Sequence, residues 1–185
     1  LIKGSLEITG KGTIKDTRVL EAPGSTIYVE GSTNKSDTGY STLYVGKDVT
    51  IDTTQWGLSV WDTSAKAYGV TVNFDGTIVS TGSKAGGITI QGNIKNDGTA
   101  INVPVINLSK TTKITATGSD GFPLYGAGAG QWNVVGATCE GINGALGVKS
   151  GRFNIVNATL KATGKPGVVE GYGNGINGVG AAIQI

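Results

Sequence analysis

Gly130-Gln131-Trp132-Asn133-Val134-Val135-Gly136-Ala137-Thr138 is followed, 21 residues on, by Gly151-Arg152-Phe153-Asn154-Ile155-Val156-Asn157-Ala158-Thr159. Gly, Asn, Val, Ala and Thr recur at matching places, and the exchanges of Trp for Phe and Val for Ile keep size and character. Self-similarity at a fixed interval marks a solenoid, in which each unit is too small to bury its own apolar face and does so by stacking on the next. Within each copy apolar and polar residues alternate, the period of a strand. Gly and Asn are the residue types expected at the corners of such coils, since both accept the left-handed backbone at bends.

Working outward, short alternations of the same kind run through the chain. Strands are expected at Leu6–Thr9, Thr26–Val29, Thr42–Val45, Val49–Asp52, Leu58–Trp61, Val70–Phe74, Thr77–Ser80 and Ile88–Gln91. Others are expected at Val105–Leu108, Lys113–Ala116, Trp132–Val135, Leu146–Lys149 and Phe153–Val156. A second 21-residue spacing links Val49-Thr50-Ile51-Asp52 to Val70-Thr71-Val72-Asn73. A third unit is a Gly or Ala before an apolar-polar-apolar triplet: Gly57-Leu58-Ser59-Val60, Gly87-Ile88-Thr89-Ile90, Ala145-Leu146-Gly147-Val148 and Ala182-Ile183-Gln184-Ile185. Such strands suit parallel coils of about 20–30 residues. An antiparallel sandwich would also use short strands, but it leaves the 21-residue self-similarity unexplained.

Composition narrows the chemistry. The 185 residues hold 32 Gly, 1 Cys, no His and no Met. Absent His excludes Ser-His-Asp and Cys-His catalysis and His-bound metals; a single Cys makes neither an internal disulfide nor a zinc cluster. No apolar run is long enough for a membrane-spanning helix. The formal charge is +2, with scattered Lys and only Arg18 and Arg152 as arginines, which argues against nucleic acid as a partner. The chain reads as one domain over 1–185, processed or cut from a longer protein, since it opens on Leu1.

The stretch Gly151-Arg-Phe-Asn-Ile-Val-Asn-Ala-Thr-Leu-Lys-Ala-Thr-Gly164 resembles a coil of right-handed parallel β-helix (pectin-lyase-like) proteins. Leu6–Thr17 resembles the opening coil of that group; 130–141 and 69–82 are weaker copies. The resemblance implies an all-β, single-stranded right-handed parallel β-helix of about six to eight irregular coils. It also implies the settings in which such modules occur: phage head fibres, decoration proteins and tail spikes, and secreted bacterial surface proteins. The sequence departs from the polysaccharide-cleaving members, which use paired Asp with a His-Gly, or calcium-binding Asp clusters with a catalytic Arg.

Candidate residues are few. Tyr40, Tyr44, Trp56, Trp61 and Tyr68 concentrate in residues 40–68, and exposed rings there would stack on sugars or suit a protein interface. Asp48, Asp52, Asp62 and Asp75 fall in successive coils; a pair brought within ~5–9 Å would have the geometry of glycoside hydrolysis, although Asp is also a favoured corner residue. Asn133 and Asn154 would form an inward or corner ladder of amides. Cys139 aligns with Leu160 and is expected to be buried and inert. Thr13, Thr50, Thr71, Thr89, Thr115, Thr117, Thr138 and Thr159 raise the question of an ice-binding array. Only Thr115-Ala116-Thr117 has the required form. Residues 118–130 read as a Gly-rich corner, not a phosphate loop, for no Lys and helix follow. Residues 164–180 read as an excursion before a last strand whose open edge invites pairing.

The expectation is a non-enzymatic, rigid structural or display module on a virion surface or in the extracellular medium, with weak carbohydrate or host-surface binding. Expected partners are other virion or surface proteins, self-association through open ends and polysaccharide, with no nucleic acid, membrane insertion, cofactor, metal or catalytic residue. The alternatives are a secreted bacterial carbohydrate-binding or adhesin module, and a polysaccharide lyase or tailspike-type glycosidase.

Overall fold

The computed structural model describes residues 4–20, 24–31, 41–62, 69–92, 103–119, 121–164 and 182–185. Among them are eighteen strands and no helix. The first sheet holds β1 (Ser5–Ile8), β4 (Ser41–Val45), β7 (Val70–Phe74), β10 (Val105–Leu108), β13 (Gln131–Val135) and β16 (Arg152–Val156), in that order. The second holds β2 (Gly12–Asp16), β5 (Val49–Thr53), β8 (Thr77–Ser80), β11 (Lys113–Ala116), β14 (Thr138–Gly141) and β17 (Thr159–Ala162). The third holds β3 (Ser25–Glu30), β6 (Trp56–Asp62), β9 (Ile88–Gly92), β12 (Leu124–Gly126), β15 (Leu146–Val148) and β18 (Ile183–Gln184).

Consecutive strands visit the three sheets in turn, so each strand pairs with those three before and three after it. Three strands make one coil, and the described residues form a parallel β-helix of six coils, at the lower end of the expected number. The quoted repeat is the register of the last two coils: Gln131 pairs with Arg152, Asn133 with Asn154 and Thr138 with Thr159. The Gly/Ala unit is the register of the third sheet, where Leu58, Ile88, Leu124, Leu146 and Ile183 succeed one another. The second 21-residue spacing is not a coil. Val49 lies in the second sheet, where Thr50 pairs with Thr77, whereas Val70 lies in the first and pairs with Ser41. Coil length is set by the excursions between strands, being 34 residues from Asn73 to Asn107 and 26 from Asn107 to Asn133.

Inward side chains from all three sheets form one continuous core. Ile14, Ile51, Ile78, Ile114, Cys139 and Leu160 stack in register along the second sheet. Ile51, Ile78 and Cys139 are fully buried, and burial of each isoleucine stabilises the fold by about 1.5–3 kcal/mol. Trp132 stacks on Phe153 of the next coil at 5.3 Å. At the bend between the first and second sheets, Gly136 and Asn157 have φ of 73° and 51°, so the two copies of the repeat use the same left-handed turn.

Strands β2, β12, β14 and β17 escape the sequence reading. Thr138-Cys139-Glu140-Gly141 and Leu124-Tyr125-Gly126 carry few β-branched residues, and they form strands because paired neighbours flank them on both sides. The Gly-rich corner expected at 118–130 therefore contains β12. Burial falls off in the outer coils: Leu6, Ile155, Val156 and Ile183 are exposed.

Candidate functional site

The outer face of the third sheet carries the strongest concentration of aromatic rings among the described residues. Its central outward row is Tyr28, Ser59, Thr89, Tyr125 and Gly147 in register. A second row sets Glu30, Trp61 and Gln91 beside it. On the other flank, Trp56 reaches from the second coil to the fourth and stacks on Tyr125, with centroids 6.0 Å apart and planes at 28°. Phe122 stacks on Tyr125 at 6.0 Å and 19°.

Two glycines make this packing possible. A Cβ on Gly86 would lie 2.7 Å from the Trp56 ring and 2.0 Å from the Phe122 carbonyl oxygen, so the indole crosses the third coil only over glycine. A Cβ on Gly147 would lie 2.9 Å from the Tyr125 ring, which rests on the fifth coil in the same way.

Between the flanks lies a groove of about 280 Å³. Its floor is Ser59 and Thr89, both buried, and the Ser25 hydroxyl donates to Ser59 Oγ at 2.5 Å. Tyr28, Trp61 and Tyr125 are half-buried and line it. Gln91 adds an amide, and no described residue lining the groove carries a formal charge. Desolvation and the nearby Glu30 carboxylate raise the Tyr28 phenol above its ordinary value, so it stays a neutral hydroxyl.

The structure thus separates the aromatic residues picked from the sequence. Trp56 and Trp61 belong to the groove, Trp56 as a buried brace and Trp61 as an accessible ring. Tyr44 stands on the first sheet and donates its hydroxyl to Asp75 Oδ2 at 3.1 Å, which raises its pKa. Tyr40 and Tyr68 lie outside the described residues. Sequence reading missed Tyr28, Tyr125 and Phe122. The signal for Tyr125 was present: Leu124-Tyr125-Gly126 occupies the triplet position of Leu58-Ser59-Val60, hidden by surrounding glycines.

The other constellations resolve into scaffold. Asp52 on the second sheet pairs with Lys15 at 3.6 Å, Asp48 at a corner with Lys47 at 2.6 Å, and Asp75 receives Tyr44. Asp48 and Asp75 lie at the same corner, between the first and second sheets in adjacent coils, and Asp62 ends β6 on the third sheet. Among the described residues no cluster of His, Cys, Asp and Glu could hold a metal ion. An Asn ladder runs through Asn73, Asn107 and Asn133, with Asn154 continuing the row in register; it faces outward in mid-strand, because the inward positions are filled by the apolar core. Asn107 Nδ2 donates to Asn73 Oδ1 and Asn133 Nδ2 to Asn107 Oδ1, each at 2.8 Å. Thr13, Thr50, Thr77, Thr138 and Thr159 share one row of the second sheet, broken by Lys113. The next outward row holds Lys15, Asp52, Glu140 and Lys161, so there is no regular hydroxyl lattice. Cys139 is fully buried, and desolvation pushes its thiol up to about 12.

A larger hollow of about 440 Å³ lies against Arg18, Gln55 and Lys84. Its polar groups serve the backbone: Gln55 Nε2 and Thr54 Oγ1 each donate to the Arg18 carbonyl at 2.5 Å, and Gly24 N–H donates to Gln55 Oε1 at 2.6 Å. The Arg18 guanidinium is held by Asp16 at 2.6 Å. This hollow is a clamp on the first coil, whereas the aromatic groove has surface to offer.

Comparison of the chain with protein-family models, curated proteins and solved structures returns no match.

Proposed function

We propose that the chain is a non-enzymatic, rigid display module of a virion surface that presents a weak binding face to carbohydrate or another host-surface partner. The observation that carries this reading is the aromatic groove on a continuously stacked sheet. A β-helix of this kind is stiff because backbone bonds and core rows run unbroken from coil to coil, and a stiff support suits a displayed surface. The non-enzymatic part is supported by the groove's uncharged lining, since acid–base hydrolysis needs two carboxyl groups across one substrate. The virion setting rests on the resemblance of residues 151–164 to β-helix coils.

The groove fits a secreted bacterial carbohydrate-binding or adhesin module equally well. Mass spectrometry of density-gradient-purified particles from the source culture, beside its clarified medium, separates the two. Fixed stoichiometry with a capsid protein is the expected result. Recovery only as free or wall-associated protein would contradict the virion reading and favour the bacterial one.

A further inference from the structure

We infer that the groove on the third sheet is a binding site for a neutral sugar ring, recognised by Trp61 and Tyr28 through their faces and by the Ser59–Thr89 floor and Gln91 through hydrogen bonds. This deepens the proposed function by naming the ligand class of its binding face.

The argument is one of matching surfaces. A pyranose has an apolar face of C–H groups and an edge of hydroxyls, and it carries no charge. The groove has half-buried rings on its flanks, hydroxyls on its floor and one amide at its side. Tyr and Trp suit this role because each joins an apolar body to a polar tip. A volume of about 280 Å³ corresponds to the share of roughly nine water molecules, which admits a ring-sized unit. A few placed polar groups within an otherwise apolar cleft are the usual make-up of a small-ligand site.

The competing ligands fit less well. A nucleic acid would also stack its bases, but it needs cations along its backbone, and the described lining has none. An acidic polysaccharide meets the same objection, with the Glu30 carboxylate standing beside Trp61. A peptide adding itself as a strand pairs with backbone along a sheet edge, whereas the groove is lined by outward side chains over the face of β3, β6, β9 and β12.

The packing of the flank adds weight. Trp56, Phe122 and Tyr125 brace one another over Gly86 and Gly147. Tyr125 is therefore held in place before any ligand arrives, and preorganisation lowers the ordering cost of binding.

The test is calorimetric titration of the purified chain with a panel of neutral oligosaccharides built on glucose, xylose, galactose, mannose and N-acetylglucosamine, with polygalacturonate as the acidic control. At least one neutral sugar is expected to bind, with an affinity nearly independent of salt. Trp61→Ala is expected to weaken it about tenfold, the scale of one lost ring contact. Thr89→Phe, which fills the floor from the outer face, is expected to abolish it. Asn107→Ala on the first sheet should leave it unchanged. Absence of binding across the neutral panel, binding of polygalacturonate alone, or retention of affinity by both groove variants would overturn the inference. Because the readout uses purified protein, its failure is separate from failure of the particle experiment.

Discussion

The first and third sheets are built alike and finished differently. Each has six parallel strands, contributed one per coil, with an apolar row turned inward. Outward, the first sheet reads Glu7, Tyr44, Asn73, Asn107, Asn133 and Asn154 along its middle row. The third reads Tyr28, Ser59, Thr89, Tyr125 and Gly147. Where one residue recurs, the side chains satisfy each other, as the Asn73, Asn107 and Asn133 amides do. Where small hydroxyls fall between large rings, the row becomes concave. Repetition on an outer face holds coils together, and departure from repetition makes a surface that something else can occupy.

The most severe way to break the comparison is to remove what both sheets stand on. Ile78 sits in the middle of the isoleucine row, fully buried, beneath Gly57 of the third sheet. Ile78→Ala is expected to cost about 4 kcal/mol, read from urea denaturation, and to weaken ladder and groove together. A loss below about 1 kcal/mol would mean that the coils do not share a tightly packed core.

The difference between the sheets also explains how much could be read in the sequence. The fold was legible because its signal repeats: Asn133 with Asn154 and Leu58 with Ile88 are register pairs, visible as self-similarity. The groove was legible only in part. Trp56 and Trp61 stand out as residues, but their link to Tyr125 depends on a coil-to-coil offset set by the intervening excursions. Nothing local in the sequence fixes that offset. The expected equivalence of Val49 and Val70 failed for the same reason, because spacing is regular only where two coils have the same length.

A finer cut is Asn107→Ala, which removes the middle rung of the ladder and both of its amide bonds. The row is half-exposed, so water can take over at Asn73 and Asn133. The expected loss is about 1–2 kcal/mol, by urea denaturation. The equivalent change on the third sheet, Trp61→Ala, should alter stability less, since the Trp61 ring is half-buried along the open groove.

The smallest effect concerns the corner that leads from the second sheet into the third. There the Asp16 carboxyl is held at about 2, below its ordinary 3.8, chiefly by the hydrogen bond from Arg18. Because the folded value is the lower one, this contribution is complete above about pH 4 and disappears as pH falls through about 2. Arg18 is more than half exposed, so the pair is worth little. Arg18→Gln is expected to lower stability slightly above about pH 4, to leave it unchanged below about pH 2, and so to flatten the acid limb between them. An unchanged acid limb would show that the clamp does not depend on that pair.

The most direct measurement is a side-by-side test of Asn107→Ala and Trp61→Ala, with thermal melting and titration of the bound neutral sugar on the same samples. The account predicts a double dissociation: Asn107→Ala melts earlier and keeps its affinity, while Trp61→Ala melts as the parent does and loses about tenfold in affinity. If the Asn107 variant lost affinity as fully as stability, or the Trp61 variant kept both, the division between a repeating scaffold and a non-repeating binding face would be wrong.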